Sequence, residues 1–342
     1  MSNILIIGAG SMGTAFSFPC SDNGHSVSIV GTHLENDFID QIKSSKKHPI
    51  LNCEISKNVT FSKFEKLQEE INKKIDLLVV AVVSKGIEWA SVELSKVIKN
   101  NVPILILTKG LSVDNDNYEV LAHKMERLLK KNGIKETNIS AAGGPCLAKE
   151  LANKAHTSVV FANKDIEIAK QISKLVSTDY YHVSTSNDVI GVETCAAIKN
   201  IFSMAVGASQ GLCDSTKSKE KNYLNTAAAL IQESIYEMII FVEKLKGKKE
   251  TVIGLAGIGD LYVSADGGRN SKMGEYLGQG MTFQEAKKTK MANITVEGAD
   301  LALEIGQKTK SDFDSKTLPL MISMIDTICE EKPLKVNWKN FK

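Results

Sequence analysis

Apolar residues in the first half of the chain gather into short, nearly continuous aliphatic and β-branched runs. They are Asn3–Ile7, Ser26–Val30, Asp76–Val82, Pro103–Leu107 and Asn138–Ala142, followed by His156–Ala162 and Tyr180–Val183. Runs that do not alternate with polar residues are expected of strands buried on both faces. Between them the apolar positions take a helical period, over Ser11–Asn23, Lys85–Lys99, Asn117–Asn132 and Asp165–Ser177. This alternation predicts an α/β fold with a doubly wound, mainly parallel sheet. Beyond about Ser186 strand signals almost vanish. Helical patterns take over at Asp188–Gln210, Asn222–Leu245, Ser271–Gly278, Thr282–Thr289, Val296–Gln307 and Leu318–Glu330. An α/β domain over residues 1–186 and an all-helical domain over 187–342 are therefore expected, each with its own core.

The first strand runs into Gly8-Ala9-Gly10-Ser11-Met12-Gly13, which opens the first helix. In that context a G-x-G-x-x-G turn has a physical use. Gly8 allows a tight turn, Gly10 lets the backbone approach a pyrophosphate, and Gly13 lets helix and strand pack closely. The anion then rests on unpaired amides of the helix N-terminus. This is the mark of a Rossmann-type, dinucleotide-binding sheet. The usual acidic partner for the ribose, about 20 residues on, is missing. Val30-Gly31-Thr32-His33 stands there, and the first acid, Glu35, falls too late. No arginine awaits a 2′-phosphate either. NAD and NADP both remain open, with His33 and Thr32 compatible with NADP.

Two further stretches carry candidate chemistry. Between Val183 and Cys213 the charged residues are Asp188, Glu193 and Lys199. On a helix, Lys199 shares a face with Val192, Cys195, Phe202, Ser203 and Val206. Desolvation would lower its pKa toward the range useful for proton transfer; alternatively it snorkels out from a helix edge. Asn200 beside it could bind substrate or satisfy nearby backbone. The second stretch is glycine-rich, residues 254–270. Asp260 and Ser264 share one helical face there, and Gly267-Gly268 leads to Arg269-Asn270 at a new helix start. Only Arg127 and Arg269 among the 42 basic residues are arginines. A lone arginine beside free helix amides suits a phosphate monoester, or pairs with Asp266.

Six ordered blocks extend these features over nearly the whole chain. They are the Gly8–Gly13 turn, Thr108-Lys109-Gly110-Leu111, Gly143-Gly144-Pro145-Cys146-Leu147-Ala148-Lys149-Glu150 and Glu193 through Lys199-Asn200. Gly257-Ile258-Gly259-Asp260 through Arg269-Asn270, and Val296-Glu297-Gly298, complete the set. Together they resemble the soluble NAD(P)-dependent glycerol-3-phosphate dehydrogenase family. The resemblance implies oxidation of sn-glycerol 3-phosphate at C2 to dihydroxyacetone phosphate, or the reverse, with NAD or NADP. By position it makes Lys199 the general acid/base, with Lys109 near the reacting oxygen and Asp260 orienting the lysine. Ser264 takes a hydroxyl position, Arg269 and Asn270 hold the phosphate, and Asn200 helps place substrate or cofactor. Cofactor contacts are implied for Gly8, Gly10, Ser11, Met12, Gly13, His33, Lys109, Ala148, Arg269 and Glu297. A homodimer is implied too. Two departures stand out: Val83, where the family usually has proline, and Cys146, where it has a hydroxyl.

Composition excludes rather than identifies. A net charge of +2 and lysine-rich segments (43–47, 217–221, 244–249) without interleaved aromatics give no support for nucleic-acid binding. The six cysteines are scattered, with no metal-ligand spacing, and are expected to be reduced. No apolar stretch approaches a membrane span, and no secretory leader is legible, so a cytoplasmic protein without membrane insertion is expected. The alternatives are a ketopantoate reductase-like or other hydroxyacid dehydrogenase and a non-catalytic nucleotide sensor. Arg269 favours phosphate over carboxylate, and a sensor has no need of Lys109, Lys199 and Asp260 together.

Overall fold

A computed structural model describes residues 1–98, 102–213 and 223–342. The chain divides into two compact units. The first comprises Met1–Lys109 and Leu121–Val189. Its strands are β1 (Asn3–Ile7), β2 (Ser26–Val30), a short β3 (Lys47–His48) and β4 (Cys53–Glu54) pair, β5 (Val59–Ser62), β6 (Leu77–Val80) and β7 (Pro103–Ile106). After the hairpin of β8 (Leu111–Asp114) and β9 (Asn117–Val120) come β10 (Asn138–Gly143), β11 (Thr157–Ala162) and β12 (Tyr181–Ser186). An eight-stranded sheet runs β12-β11-β10-β7-β6-β1-β2-β5. From β10 across to β5 every pairing is parallel, whereas β11 joins β10 antiparallel and β12 follows β11. The sheet is thus the mainly parallel one expected.

Helices α1 (Ser11–Asp22), α2 (Asn36–Ser45), α3 (Leu67–Ile71), α4 (Ile87–Val97), α5 (Leu121–Lys131), α6 (Ala148–Ala152) and α7 (Ile166–Val176) belong to this unit. Phe16 of α1 packs on Phe161 and, edge-on, on Tyr181, joining the helix to the β11–β12 side of the core. Leu77, Val79 and Leu105 of the central strands lie in the same core, buried as their unbroken apolar runs require.

The second unit comprises Gly110–Val120 and Ile190–Lys342. This corrects the helix expected over Asn117–Asn132. Asn117–Val120 instead pairs as β9 with β8, and helix starts only at Leu121. Asn115 and Asp116 adopt positive φ, 47° and 59°, the geometry of a tight two-residue hairpin turn. The hairpin is anchored within its unit: the Tyr118 hydroxyl donates to Thr309 Oγ1 at 3.2 Å, and its ring meets Phe241 edge-on. Periodicity misses it because only a few residues alternate on either side of the turn.

The remaining helices are α8 (Val189–Leu212), α9 (Leu224–Lys244), α10 (Lys249–Val252), α11 (Asp260–Ala265), α12 (Arg269–Gly278), α13 (Phe283–Thr289), α14 (Glu297–Asp312) and α15 (Pro319–Cys329). By length and composition α8 could cross a membrane, but its most apolar window is 94% buried within the protein, as befits a core helix. Helix α12 packs on it at backbone distance. A Cβ on Gly274 would stand 1.8 Å from the Met204 carbonyl oxygen, so no side chain fits there. The lysine-rich segment 217–221, and the ends expected at Lys99 and Asn222, lie outside the described residues.

Glu237, fully buried on α9, receives the Leu320 and Met321 amides at 2.6 and 2.8 Å and so caps α15. Burial pushes its carboxyl from the ordinary 4.5 up to about 8, against the lowering effect of the Met321 and Leu320 amides. Between those limits the folded protein keeps a proton that the unfolded chain has released. The stabilisation is therefore complete below about pH 4.5 and fades as pH rises toward 8, by at most about 1.4 kcal/mol per pH unit. Thermal unfolding midpoints between pH 5 and 8 should fall less steeply in Glu237→Gln than in the wild type. Equal slopes would remove Glu237 from the account.

Candidate active site

The glycine turn joins β1 to α1. Gly8 has φ +106°, and a Cβ there would stand 2.6 Å from the Ala81 carbonyl oxygen. A Cβ on Gly13 would be 2.3 Å from the Gly8 carbonyl oxygen. Both positions are closed to side chains by their own fold. Gly10 is different: its backbone is extended, and a Cβ would meet nothing nearer than Glu35 Oε1 at 3.9 Å. The space over Gly10 is therefore open. Helix α1 has no side-chain cap and no acid in its first turn, so Ser11 and Met12 begin a helix whose amides can receive an anion. These features fit the pyrophosphate of a dinucleotide.

Neighbouring loops of the same sheet end are tied together. Thr108 Oγ1 donates to the Val82 carbonyl at 2.6 Å, and Lys109 Nζ donates to the Gly144 carbonyl at 3.1 Å. Val83 has φ −68°, an angle a proline at this position would also adopt. Cys146 and Ala148 pack partly buried against the core, with Ala148 opening α6. The exposed His33 ring lies 5.1 Å from Trp89, which also meets Phe64. Glu35, set aside from sequence as too far along, turns back and accepts the Thr32 and Ala9 amides.

In the helical unit Lys199 is buried in α8, 7% exposed, and does not snorkel outward. Its Nζ donates to Asp260 Oδ1 at 2.9 Å and to Ser264 Oγ. Asp260 is itself only 2% exposed. Desolvation penalises the lysine's charge and the carboxylate compensates it, as a buried pair requires. Asp260 and Ser264 are one turn apart on α11, and a π-helical turn, Leu255–Gly259, precedes them. Such turns recur at functional sites because they shift side chains off the regular helical face.

Arg269 opens α12, a helix without a side-chain cap or an acid in its first turn. Its partner is not Asp266 but Glu297, at 2.7 Å, and both side chains are about half exposed. Sequence reading placed Glu297 near the cofactor without seeing this pair. Asn200 and Asn270 are engaged with each other: Asn270 Nδ2 donates to Asn200 Oδ1 at 2.9 Å, and Asn270 Oδ1 accepts the Gly298 amide at 2.9 Å. The chain Asn200–Asn270–Gly298 registers α8, α12 and α14, carrying Lys199, Arg269 and Glu297 respectively. Their one-residue offsets along the sequence are the signal that could have revealed it.

A sheet with an open glycine turn and a helical unit with a buried lysine–carboxylate pair are the features of a nicotinamide-dependent dehydrogenase. Comparison narrows the class. The N-terminal model of the NAD-dependent glycerol-3-phosphate dehydrogenase family matches residues 3–169, and its C-terminal model matches residues 188–338. An NADP(+)-dependent glycerol-3-phosphate dehydrogenase of Archaeoglobus fulgidus is 31% identical over 314 residues, 90% of this chain and 91% of that one. An NAD(P)+ glycerol-3-phosphate dehydrogenase of Francisella tularensis subsp. novicida is 33% identical, over 86% of this chain and 84% of that one. The crystal structure of glycerol-3-phosphate dehydrogenase from Coxiella burnetii shares the fold, with a TM-score of 0.81 at 24% identity, covering 97% of this chain and 96% of that one. The chain belongs to the NAD-dependent glycerol-3-phosphate dehydrogenase family.

The three glycines should separate by substitution. Gly10→Ala fills the open space, and is expected to weaken dinucleotide binding about tenfold or more while leaving the melting temperature nearly unchanged. Gly8→Ala meets a backbone oxygen at positive φ and should cost stability first, by a few kcal/mol. Calorimetry with dinucleotide titration checks both; a Gly10→Ala protein that binds normally would refute the cradle.

Proposed function

We propose that the protein interconverts sn-glycerol 3-phosphate and dihydroxyacetone phosphate, using NAD(H) or NADP(H), in the cytoplasm and as a homodimer. The observation that carries the reading is the Lys199 ammonium, buried and held by Asp260 and Ser264. The dinucleotide, when bound, exchanges a hydride at its nicotinamide. Gly8, Gly10, Ser11, Met12 and Gly13 supply its pyrophosphate cradle. Ala148, His33, Arg269 and Glu297 are assigned to its further contacts by their positions in the family.

Proton movement falls to Lys199. Asp260 and Ser264 fix two of the directions in which Nζ donates, which orients the ammonium. In reduction Nζ gives a proton to the oxygen at C2; in oxidation the neutral amine takes it back. Lys109 is assigned by its position in the family, where a cation favours negative charge on the reacting oxygen. Arg269 offers a fork of N–H donors to the phosphate, joined by the uncapped α12 backbone at Asn270. Asn200, through Asn270, keeps Lys199 and the phosphate-binding helix in register.

Lys199→Ala should lower kcat by about 10²- to 10⁴-fold while dinucleotide still binds. Near-normal turnover would sink the acid–base assignment. Arg269→Lys should raise KM for dihydroxyacetone phosphate about tenfold with a smaller change in kcat, because a point charge cannot reproduce the fork. Rates with ketopantoate in place of the phosphate substrate provide the control; turnover only with the carboxylate would overturn the substrate assignment.

A further inference from the structure

Glu35 immediately precedes α2, five positions beyond the last residue of β2. A carboxylate at a helix start ordinarily accepts amides of its own helix, yet α2 has no side-chain cap bond. Instead Oε2 takes the Thr32 amide at 2.6 Å and the Ala9 amide at 3.2 Å. These amides come from the loops that leave β2 and β1. One carboxylate oxygen is thus pinned between two strand ends, and the other, Oε1, is the nearest atom to the open space over Gly10.

A pyrophosphate seated on α1 directs the adenosine ribose over the end of the second strand. There a fixed carboxylate accepts a hydrogen bond from a ribose hydroxyl, and it repels a 2′-phosphate carrying nearly two negative charges. The opposing equipment for such a phosphate is weak. No arginine occurs before Arg127. Lys63, on the loop after β5, is already paired with Asp40 at 2.6 Å. The amide of Thr32 is taken by Glu35 itself, and the His33 ring leans on Trp89.

We propose that Glu35 is the ribose-binding acid of this chain, supplied from a helix start instead of a strand end, and that it makes the protein select NAD(H) over NADP(H). The proposal rests on the dehydrogenase reading above. It is tested by direct binding, without turnover: titration of NADH and NADPH into the intact wild type, Glu35→Gln and Glu35→Arg. Glutamine keeps an acceptor for the two amides, and equal melting temperatures verify that the turn survives. The wild type should bind NADH about 10- to 100-fold more tightly than NADPH, the scale of one hydrogen bond to a charged group. Glu35→Gln should shrink that ratio about tenfold or more, and Glu35→Arg should invert it. A wild type that binds both equally, or variants that keep its ratio, would overturn the role of Glu35 alone. Failure of the wild type to bind either dinucleotide would overturn the dehydrogenase reading, and this proposal with it.

Discussion

A lysine buried in an apolar helix is tolerable only with a counter-charge, and the helical unit is arranged around that requirement. Lys199 sits in the core helix of its unit, and its compensating charge, Asp260, comes from 61 residues further on. A π-helical turn immediately precedes α11, from which Asp260 and Ser264 reach the lysine. Because the pair is desolvated, its electrostatics are stronger than those of an exposed pair such as Arg269–Glu297. The difference suits the two tasks. In the roles proposed for them, a proton-transfer group gains from rigid, dry surroundings, and a phosphate clamp has to exchange one anionic partner for another.

The α/β unit works under a different constraint, the close approach of backbone to backbone. Gly8 and Gly13 are closed by their own neighbours, and Gly10 alone leaves room for a ligand. The three glycines of one motif therefore do three physical jobs, only one of which is binding. Glu35 completes the turn by linking the loops after β1 and β2, so that the open space has a charged rim.

Much of this was legible beforehand. The buried strands β1, β6 and β7 announce themselves as unbroken apolar runs, and α8 by one lysine in a long apolar stretch. The β8–β9 hairpin was not legible, being two four-residue strands around an Asn115–Asp116 turn inside a segment with partial helical period. The edge strand β5, with alternating burial and no continuous run, escaped for a related reason. Among the candidate site residues, motif order singled out Lys109, Lys199, Asp260, Ser264 and Arg269. It gave no hint that Arg269 faces Glu297, or that Asn200 and Asn270 bind each other.

Periodicity, glycine spacing and the scarcity of charge on one helix are local properties, and by themselves they indicated most of the order of elements and the glycine turn, and singled out Lys199 as a candidate proton carrier. Pairings across tens of residues are not local. Glu35 with Ala9, Asn270 with Gly298 and Asp260 with Lys199 depend on where loops return the chain, and a carboxylate one or two positions early or late still reaches when its side chain can turn back. Sequence spacing could place an acid near the ribose only by assuming a strand-end position. The folded backbone lays the start of α2 against the glycine turn, and that is what brings Glu35 to it.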